Sequence, residues 1–343
     1  MDKNYKVIFT AQKQVELVQW DMPTVGDDDL LVKLTVSQIS TGTELTMLEA
    51  NVEPDSPWWE NIVFPNYDVG YSAVGTVVAV GKNVPADKIG KRVFVAHNHQ
   101  KYVTFPVNAA EGLMWVPDNV ASDDAVFACI ASITNGSIRC SGINPGDACV
   151  VFGAGIIGQM VARFAKIAGS TRVYVADVSD LRLSKLPDDP CFIPVNSSRE
   201  NVAEFVKRNS LDADGVPVVF ETTGVPSLVQ QELACLCQRG KLIITSSPKG
   251  KALVDLDYCN RKGISIIGAH NFAVHPLQVT PFNRWTKRRD SEFFLELMHK
   301  GQMTVSEMHT DRYHYKNAVA AYEMLMADRT KALSVLIDWE DEV

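Results

Sequence analysis

The segment Cys149-Val-Val-Phe-Gly153-Ala-Gly155-Ile-Ile-Gly158 constrains this chain more than any other. An apolar run of strand length passes directly into Gly-x-Gly-x-x-Gly, and helical apolar spacing follows from Gln159 to Ala168. Gly153 permits a tight turn, Gly155 lets backbone approach a pyrophosphate, and Gly158 lets helix and strand pack closely. Phosphates then face a helix N-terminus, where unpaired N–H groups and the helix dipole favour an anion. A second strand, Val173-Tyr-Val-Ala-Asp177, ends in an acid about 20 residues on, where it can accept ribose hydroxyls and repel the extra phosphate of NADP. The expected cofactor is NAD, held by Gly153, Gly155, Ile156, Ile157, Gly158 and Asp177. The competing readings are a structural glycine turn and, for Asp177, an ordinary strand-end carboxylate. Phe220-Glu221-Thr222-Thr223-Gly224 and Gly240-Lys-Leu-Ile-Ile-Thr-Ser246 end later strands on the same sheet edge, which assigns Thr223 and Ser246 to the ribose and nicotinamide region. His270, just past another strand, is assigned to the nicotinamide side or to a subunit contact.

The chain of 343 residues is longer than one compact core usually holds, so two domains are expected. Up to about residue 125 the pattern is one of short alternating runs (6–10, 30–36, 75–80, 92–96) broken by Gly, Pro and Asp, as in an all-β, barrel-like unit. From Val126 helical patterns alternate with buried strands at 148–152, 172–176, 216–221, 241–246 and 264–267, which implies a doubly wound parallel sheet. After an irregular loop over 275–290, helices at 290–299 and 316–327 and a strand at 333–338 are expected to return to the first domain. The expected division is 1–132 with 273–343, and 133–272.

Composition narrows the partners. The longest apolar stretch, Cys149 to Ile157, is far short of the ~20 residues that span a bilayer, so no membrane helix is expected. The N-terminal residues lack a secretory pattern, and a cytoplasmic location is expected. A net charge of -8 disfavours nucleic acid and anionic lipid and leaves small molecules as partners. Seven irregularly spaced cysteines read as free thiols, and because the first is Cys129 the N-terminal third offers zinc no thiol.

A nucleotide fold placed after a β-rich unit resembles the medium-chain dehydrogenase/reductase superfamily. Gly70-Tyr-Ser-Ala-Val-Gly75-Thr-Val-Val-Ala-Val-Gly81 is similar to the family's Gly-His-Glu segment and the strand after it, Gly90-Lys-Arg-Val to its Gly-Asp-Arg-Val, and Asn144-Pro-Gly-Asp147 to the turn before the first nucleotide-domain strand. The resemblance implies an α/β chain with a GroES-like β-barrel catalytic domain, a Rossmann domain and a homodimer. It also implies catalytic zinc, yet the aligned Cys, His and Cys positions hold Thr41, Tyr71 and Ser132, hydroxyls that are poor zinc ligands. The structural zinc lobe is missing too. His97 and His99, alternating along an expected strand, lack an evident third ligand, so no metal is expected.

Zinc normally stabilises the alkoxide during hydride transfer, and a protein acid/base must replace it here. Tyr71 stands at a ligand position, Thr43 matches the family's relaying hydroxyl, and Glu44 matches a family carboxylate that braces the site, with a packed aromatic and a purely structural brace as the alternatives for Tyr71 and Glu44; His97, His99 and Lys101 are placed to tune the tyrosine or act as base. For the substrate, Trp58 and Trp59 suit a sugar or cyclitol ring, and Arg284 with Trp285 in the basic run to Arg289 suits an anionic group; loop anchoring and a solvated face are the alternatives. The Ser40-Thr-Gly-Thr-Glu44 variant is similar to zinc-lacking branches tied to sugar, cyclitol or bacteriochlorophyll-type biosynthesis. The leading expectation is a zinc-independent NAD-dependent alcohol/ketone oxidoreductase. The alternatives are a zinc-free NADPH-dependent enoyl or quinone reductase, which Asp177 disfavours, and a non-catalytic nucleotide-binding protein.

Overall fold

The computed structural model describes residues 3–56, 58–210 and 214–341. The chain divides into two compact units, Met1–Cys129 with Lys287–Val343, and Ile130–Thr286.

The second unit is built on a six-stranded sheet in the spatial order Phe192–Asn196, Arg172–Asp177, Ala148–Phe152, Val216–Glu221, Leu236–Ile244, Ser265–Gly268. Every neighbouring pair runs parallel. The central strands are buried on both faces, with Cys149, Val150, Val151, Val219 and Phe220 fully enclosed, and this is why the sequence shows continuous apolar runs there instead of alternation. From Ala148–Phe152 the chain builds outward in one direction, then restarts on the other side at Val216–Glu221. A reversal of this kind opens a crevice beyond the carboxyl ends of the two strands. The strand Phe192–Asn196 escaped the sequence pattern because Pro194 interrupts it; it lies at the sheet edge, where a proline is tolerated.

In the first unit the strand Asp29–Gln38 is the organiser. It pairs with Ala73–Val80, and also with Tyr102–Pro106 near one end and with Ser334–Asp338 near the other. Its alternation is strict where it matters, since Val32, Leu34 and Val36 are buried while Leu31, Lys33 and Thr35 are partly exposed. The closing strand leads into Trp339, which is fully buried, stacks on Tyr315 at 5.7 Å and donates its indole N–H to Ser37 Oγ at 2.8 Å. The helix Ala318–Asp328 sets the buried Tyr322 edge-on to Phe9. The C-terminal segment from Lys287 belongs to the first unit.

The expected boundaries shift in detail. Residues 273–286 join the nucleotide-type unit, because Asn283 donates to Val274 O at 3.1 Å and the Arg139 guanidinium lies 3.3 Å from the Trp285 ring centroid. The following helix begins at Lys287, earlier than expected. Among the described residues no helix is long and apolar enough to cross a membrane.

Trp339→Ala removes a buried indole and its hydrogen bond together, and should destabilise the chain by about 3–5 kcal/mol. The expected readout is a lowered urea midpoint; an unchanged midpoint contradicts the packing described.

Candidate active site

The glycine turn of the second unit has the geometry its spacing demands. Gly153 sits at φ +98°, and a Cβ on Gly158 would fall 1.7 Å from the Gly153 carbonyl oxygen, so neither position tolerates a side chain without moving the turn. A Cβ on Gly155 would meet nothing within 4 Å. The backbone there borders open space at the start of the helix Ile156–Ile167, where Ile156 is buried and Ile157 half-buried. Asp177 is buried and ties this turn down, its Oδ2 accepting from Ala154 N at 2.7 Å and its Oδ1 from Ser179 N at 2.8 Å. Each oxygen retains a second lone pair for a ribose hydroxyl. Nearby Asp180 accepts from Asn196 and Arg199, bonds that hold its carboxyl below the usual carboxylate range. These residues fit a dinucleotide: a cradle that a Cβ would fill, a helix N-terminus, and an anchored acid.

A residue the motif reading left out organises the neighbouring strand ends. Glu221 Oε1 accepts from Thr223 N at 2.6 Å, Thr223 Oγ1 at 2.7 Å and Gly224 N at 2.8 Å, while Oε2 accepts from Ser246 Oγ. Both hydroxyls expected near the cofactor therefore donate to one buried carboxylate, which fixes the loops carrying them. The signal was present as a strand-end acid followed by Thr-Thr-Gly. His270 is exposed, with its ring 5.5 Å from that of Phe272.

In the first unit a cluster of hydroxyls forms around Tyr71. Its phenol oxygen is 2.5 Å from Ser40 Oγ and is also hydrogen-bonded by the Thr43 side chain. Burial, reinforced by the nearby Cys129 thiol, pushes the phenol well above its ordinary range, so it keeps its proton at neutral pH and acts as a donor. Burial likewise lifts Cys129 to about 11, so it remains a thiol.

Beneath this cluster lies a network from which solvent is excluded. Glu44, on the helix Thr43–Glu49, accepts from Ser40 N at 2.7 Å and from Tyr322 OH at 2.5 Å, and lies 3.2 Å from His99 Nε2. The other nitrogen of His99 is 2.8 Å from Ser37 Oγ, the atom that also receives the Trp339 indole. Glu44 and His99 are fully buried. Gly70, at φ +92°, leaves room for the imidazole, since a Cβ there would lie 2.6 Å from Nε2. Glu44 and His99 thus brace the segment that presents Ser40 and Thr43 to Tyr71.

Other expected residues fall elsewhere. The strand Arg92–Val95 stops short of His97 and His99, so the two do not alternate on one strand face. His97 is half-buried, its Nδ1 has no hydrogen-bond partner among the described residues, and burial holds its imidazole below the usual range. Lys101 is buried with its ammonium on Asp341 at 2.5 Å and over the Tyr315 ring at 5.0 Å. Trp58 is half-buried and Trp59 42% exposed, on a short turn. The basic run is divided: Arg284 is exposed, Trp285 stacks under Arg139, and Lys287 and Arg288 pair with Glu111 and Glu292. Ser40, Cys129, Glu221 and Tyr322 were not among the expected site residues.

Comparison with known proteins places this geometry. Residues 157–284 match the family described as zinc-binding dehydrogenase. An uncharacterized zinc-type alcohol dehydrogenase-like protein, YdjJ of Escherichia coli, is 22% identical over 99% of this chain and 100% of its own length. The L-threonine 3-dehydrogenase of a Marinomonas species is 24% identical over 76% of this chain and 82% of its own. The structure of 2R,3R-butanediol dehydrogenase from Bacillus subtilis superposes with a TM-score of 0.79 at 20% identity, covering 98% of this chain and 99% of that one. The chain is thus similar over nearly its whole length to zinc-type alcohol dehydrogenase-like proteins, and it shares its fold with solved dehydrogenase structures. The segment that matches the zinc-binding family contains none of positions 41, 71 and 132. Within the first unit, positions 41 and 71 carry an aliphatic hydroxyl and a phenol that keeps its proton, side chains that fit a zinc ion less well than thiolate, imidazole or carboxylate. Among the described residues no three His, Cys, Asp or Glu side chains cluster as a metal site.

One buried acid near the nucleotide strands is left without compensation. Glu232, on the helix Val229–Ala234, is fully buried, and neither of its oxygens has a hydrogen-bond partner among the described residues. Burial, with the charge of Glu221 adding to it, raises its carboxyl to about 8. The folded chain then holds a proton that the unfolded chain has released, so stability falls as pH rises from the ordinary carboxyl range through about 8. Glu232→Leu should raise the melting temperature at pH 8 and flatten its decline between pH 5 and about 8. A parallel decline in variant and parent contradicts the assignment.

Proposed function

We propose that this medium-chain oxidoreductase interconverts a secondary alcohol and a ketone on a sugar, cyclitol or related polyol, using NAD and no zinc. The observation that carries the proposal is the Tyr71 phenol held by Ser40 and Thr43, at a position where zinc enzymes of the superfamily carry a metal ligand. A bound nicotinamide cofactor would provide the hydride chemistry, acceptance by NAD⁺ in the oxidising direction and donation by NADH in the reducing one. The chain's own task is to stabilise charge on the reacting oxygen and to move one proton. A protonated phenol does both in the reducing direction, donating a hydrogen bond to the carbonyl oxygen and then the proton itself. Thr43 and Ser40 aim the phenol and offer a route for replacing the proton. Glu44, His99 and Tyr322 act through position, since none has a solvent-facing surface.

The preference for NAD rests on Asp177 and Asp180, two carboxylates where NADP would bring its extra phosphate. Gly153, Gly155, Ile156, Ile157 and Gly158 hold the pyrophosphate, and Thr223, Ser246 and His270 border the remainder of the cofactor. The indoles of Trp58 and Trp59 offer a flat apolar surface to a polyol ring. A homodimer is part of this proposal. The edge strand Ser265–Gly268 leaves Ile266 exposed, and the following segment exposes Phe272, Leu277, Val279 and Phe282, an apolar margin suited to a second copy.

Three outcomes are expected. Tyr71→Phe should lower turnover by about 100-fold or more while NAD affinity stays at the parental value; undiminished turnover would remove Tyr71 from the reaction. Asp177→Ser should narrow the ratio of NAD to NADP affinity, as read by fluorescence titration of each cofactor; a ratio that stays put would detach Asp177 from the ribose. Light scattering should return twice the chain mass, and a monomer would dismiss the edge-strand contact.

A further inference from the structure

The helix Val229–Ala234 carries an acid into an apolar setting. It packs on the strands Val216–Glu221 and Leu236–Ile244 and on the helix Val202–Asn209, and the cluster between these elements includes Val206, Val219, Val229, Leu233 and Leu242. Glu232 is fully enclosed there, with no hydrogen-bond partner for either carboxyl oxygen among the described residues. Three other polar groups bear on its surroundings. Glu221 acts on it from the strand; the Cys235 thiol, just past the end of its own helix, feels Lys207 of the helix Val202–Asn209 and is pushed by burial up to about 12; the Tyr258 hydroxyl, from the helix Leu256–Lys262, donates to Leu233 O at 3.4 Å. As pH rises through about 8, Glu232 therefore changes from an uncharged acid into a second carboxylate beside Glu221.

Glu221 is meanwhile the clasp of two loops. Besides the bonds its side chain takes from Thr223, Gly224 and Ser246, its backbone carbonyl accepts from Thr245 N at 2.9 Å and from Ser246 N at 3.1 Å. The loops meet again where Lys249 N donates to Gly224 O at 3.2 Å. The first of them runs straight into the helix that carries Glu232: Val225 N donates to Thr223 Oγ1 at 3.0 Å, Leu228 N donates to Val225 O at 3.1 Å, and the helix begins at Val229. Clasp and unpartnered acid are thus joined twice, by charge and by a short stretch of chain.

We propose that Glu232 and Glu221 form a pH-sensitive latch on these loops: an uncharged Glu232 leaves the clasp closed, and an ionised Glu232 opens it. A buried carboxylate without donors is relieved by reaching water. Movement of the helix toward solvent supplies that water and draws Thr223 and Gly224 away from Glu221. Glu232 acts through Glu221 and is a positioning residue. The consequence for NAD rests on the reading of Thr223 and Ser246 as residues that border the cofactor; the opening of the loops does not.

The test is amide hydrogen exchange of the full chain without cofactor, corrected for the intrinsic effect of pH and followed from about pH 6.5 to about 9.5, alongside fluorescence titration of NAD over the same range. Protection of residues 222–228 and 245–249 should fall about tenfold or more as pH passes about 8, while the strand Ala148–Phe152 keeps its protection. NAD affinity should weaken about fivefold or more over the same interval. Glu232→Gln keeps the shape without the charge and should remove both changes; Glu232→Leu serves the same purpose where the amide folds poorly. Loops equally protected at every pH, an undiminished change in both variants, or a loss shared equally by the strand Ala148–Phe152 overturns the proposal, and so does NAD affinity that stays constant while the loops open. Loops that open as expected in a chain that binds NAD at no pH would count against the nucleotide reading and leave the latch standing.

Discussion

The buried carboxylate of Glu44 is the contact on which the first unit turns. It gathers a backbone N–H from Ser40, the hydroxyl of Tyr322 and the imidazole of His99, so that three stretches of chain far apart in sequence meet at two oxygen atoms. A charge this deep is tolerated only when its hydrogen-bonding capacity is met, and removing any one partner leaves an uncompensated group behind. The network also has an outer face. The segment that donates Ser40 N to Glu44 offers Ser40 Oγ and Thr43 to Tyr71, so the aim of the phenol is inherited from a brace that never touches solvent.

The second unit follows the same principle with different parts. Asp177 holds the glycine turn by its Ala154 N–H, and Glu221 holds the loops ending two other strands. Each acid spends part of its capacity on backbone and thereby fixes a surface shaped for a nucleotide. Glu232 marks the limit of that economy. It lies in the charge field of Glu221 with no donor among the described residues, and it settles the conflict by keeping its proton.

The parts of this structure that the sequence discloses are those governed by local rules. The glycine spacing, the strand-end acid and the buried apolar runs of the parallel sheet are written within a few residues of one another, and they appear where expected. Partnerships over long separations were hidden. Tyr322 meets Glu44 across 278 residues, and no periodicity connects them. His97 and His99 misled for a related reason: alternation implies a shared face only while the strand lasts, and it ends at Val95. Lys101 looked like a candidate for the reaction, yet its ammonium is committed to Asp341 and the Tyr315 ring. Residues 273–286 were assigned to the wrong unit because nothing in their composition reveals that Asn283 ties them back on Val274 and Trp285 stacks on Arg139.

The central claim is that hydroxyl groups carry out the step that a metal performs in zinc-type relatives. The most direct measurement is NAD-dependent turnover of a secondary polyol by protein treated exhaustively with a strong chelator, with residual metal determined on the same sample. The account predicts turnover unchanged by chelation and zinc far below one ion per chain. Activity that disappears on chelation and returns with added zinc would contradict it.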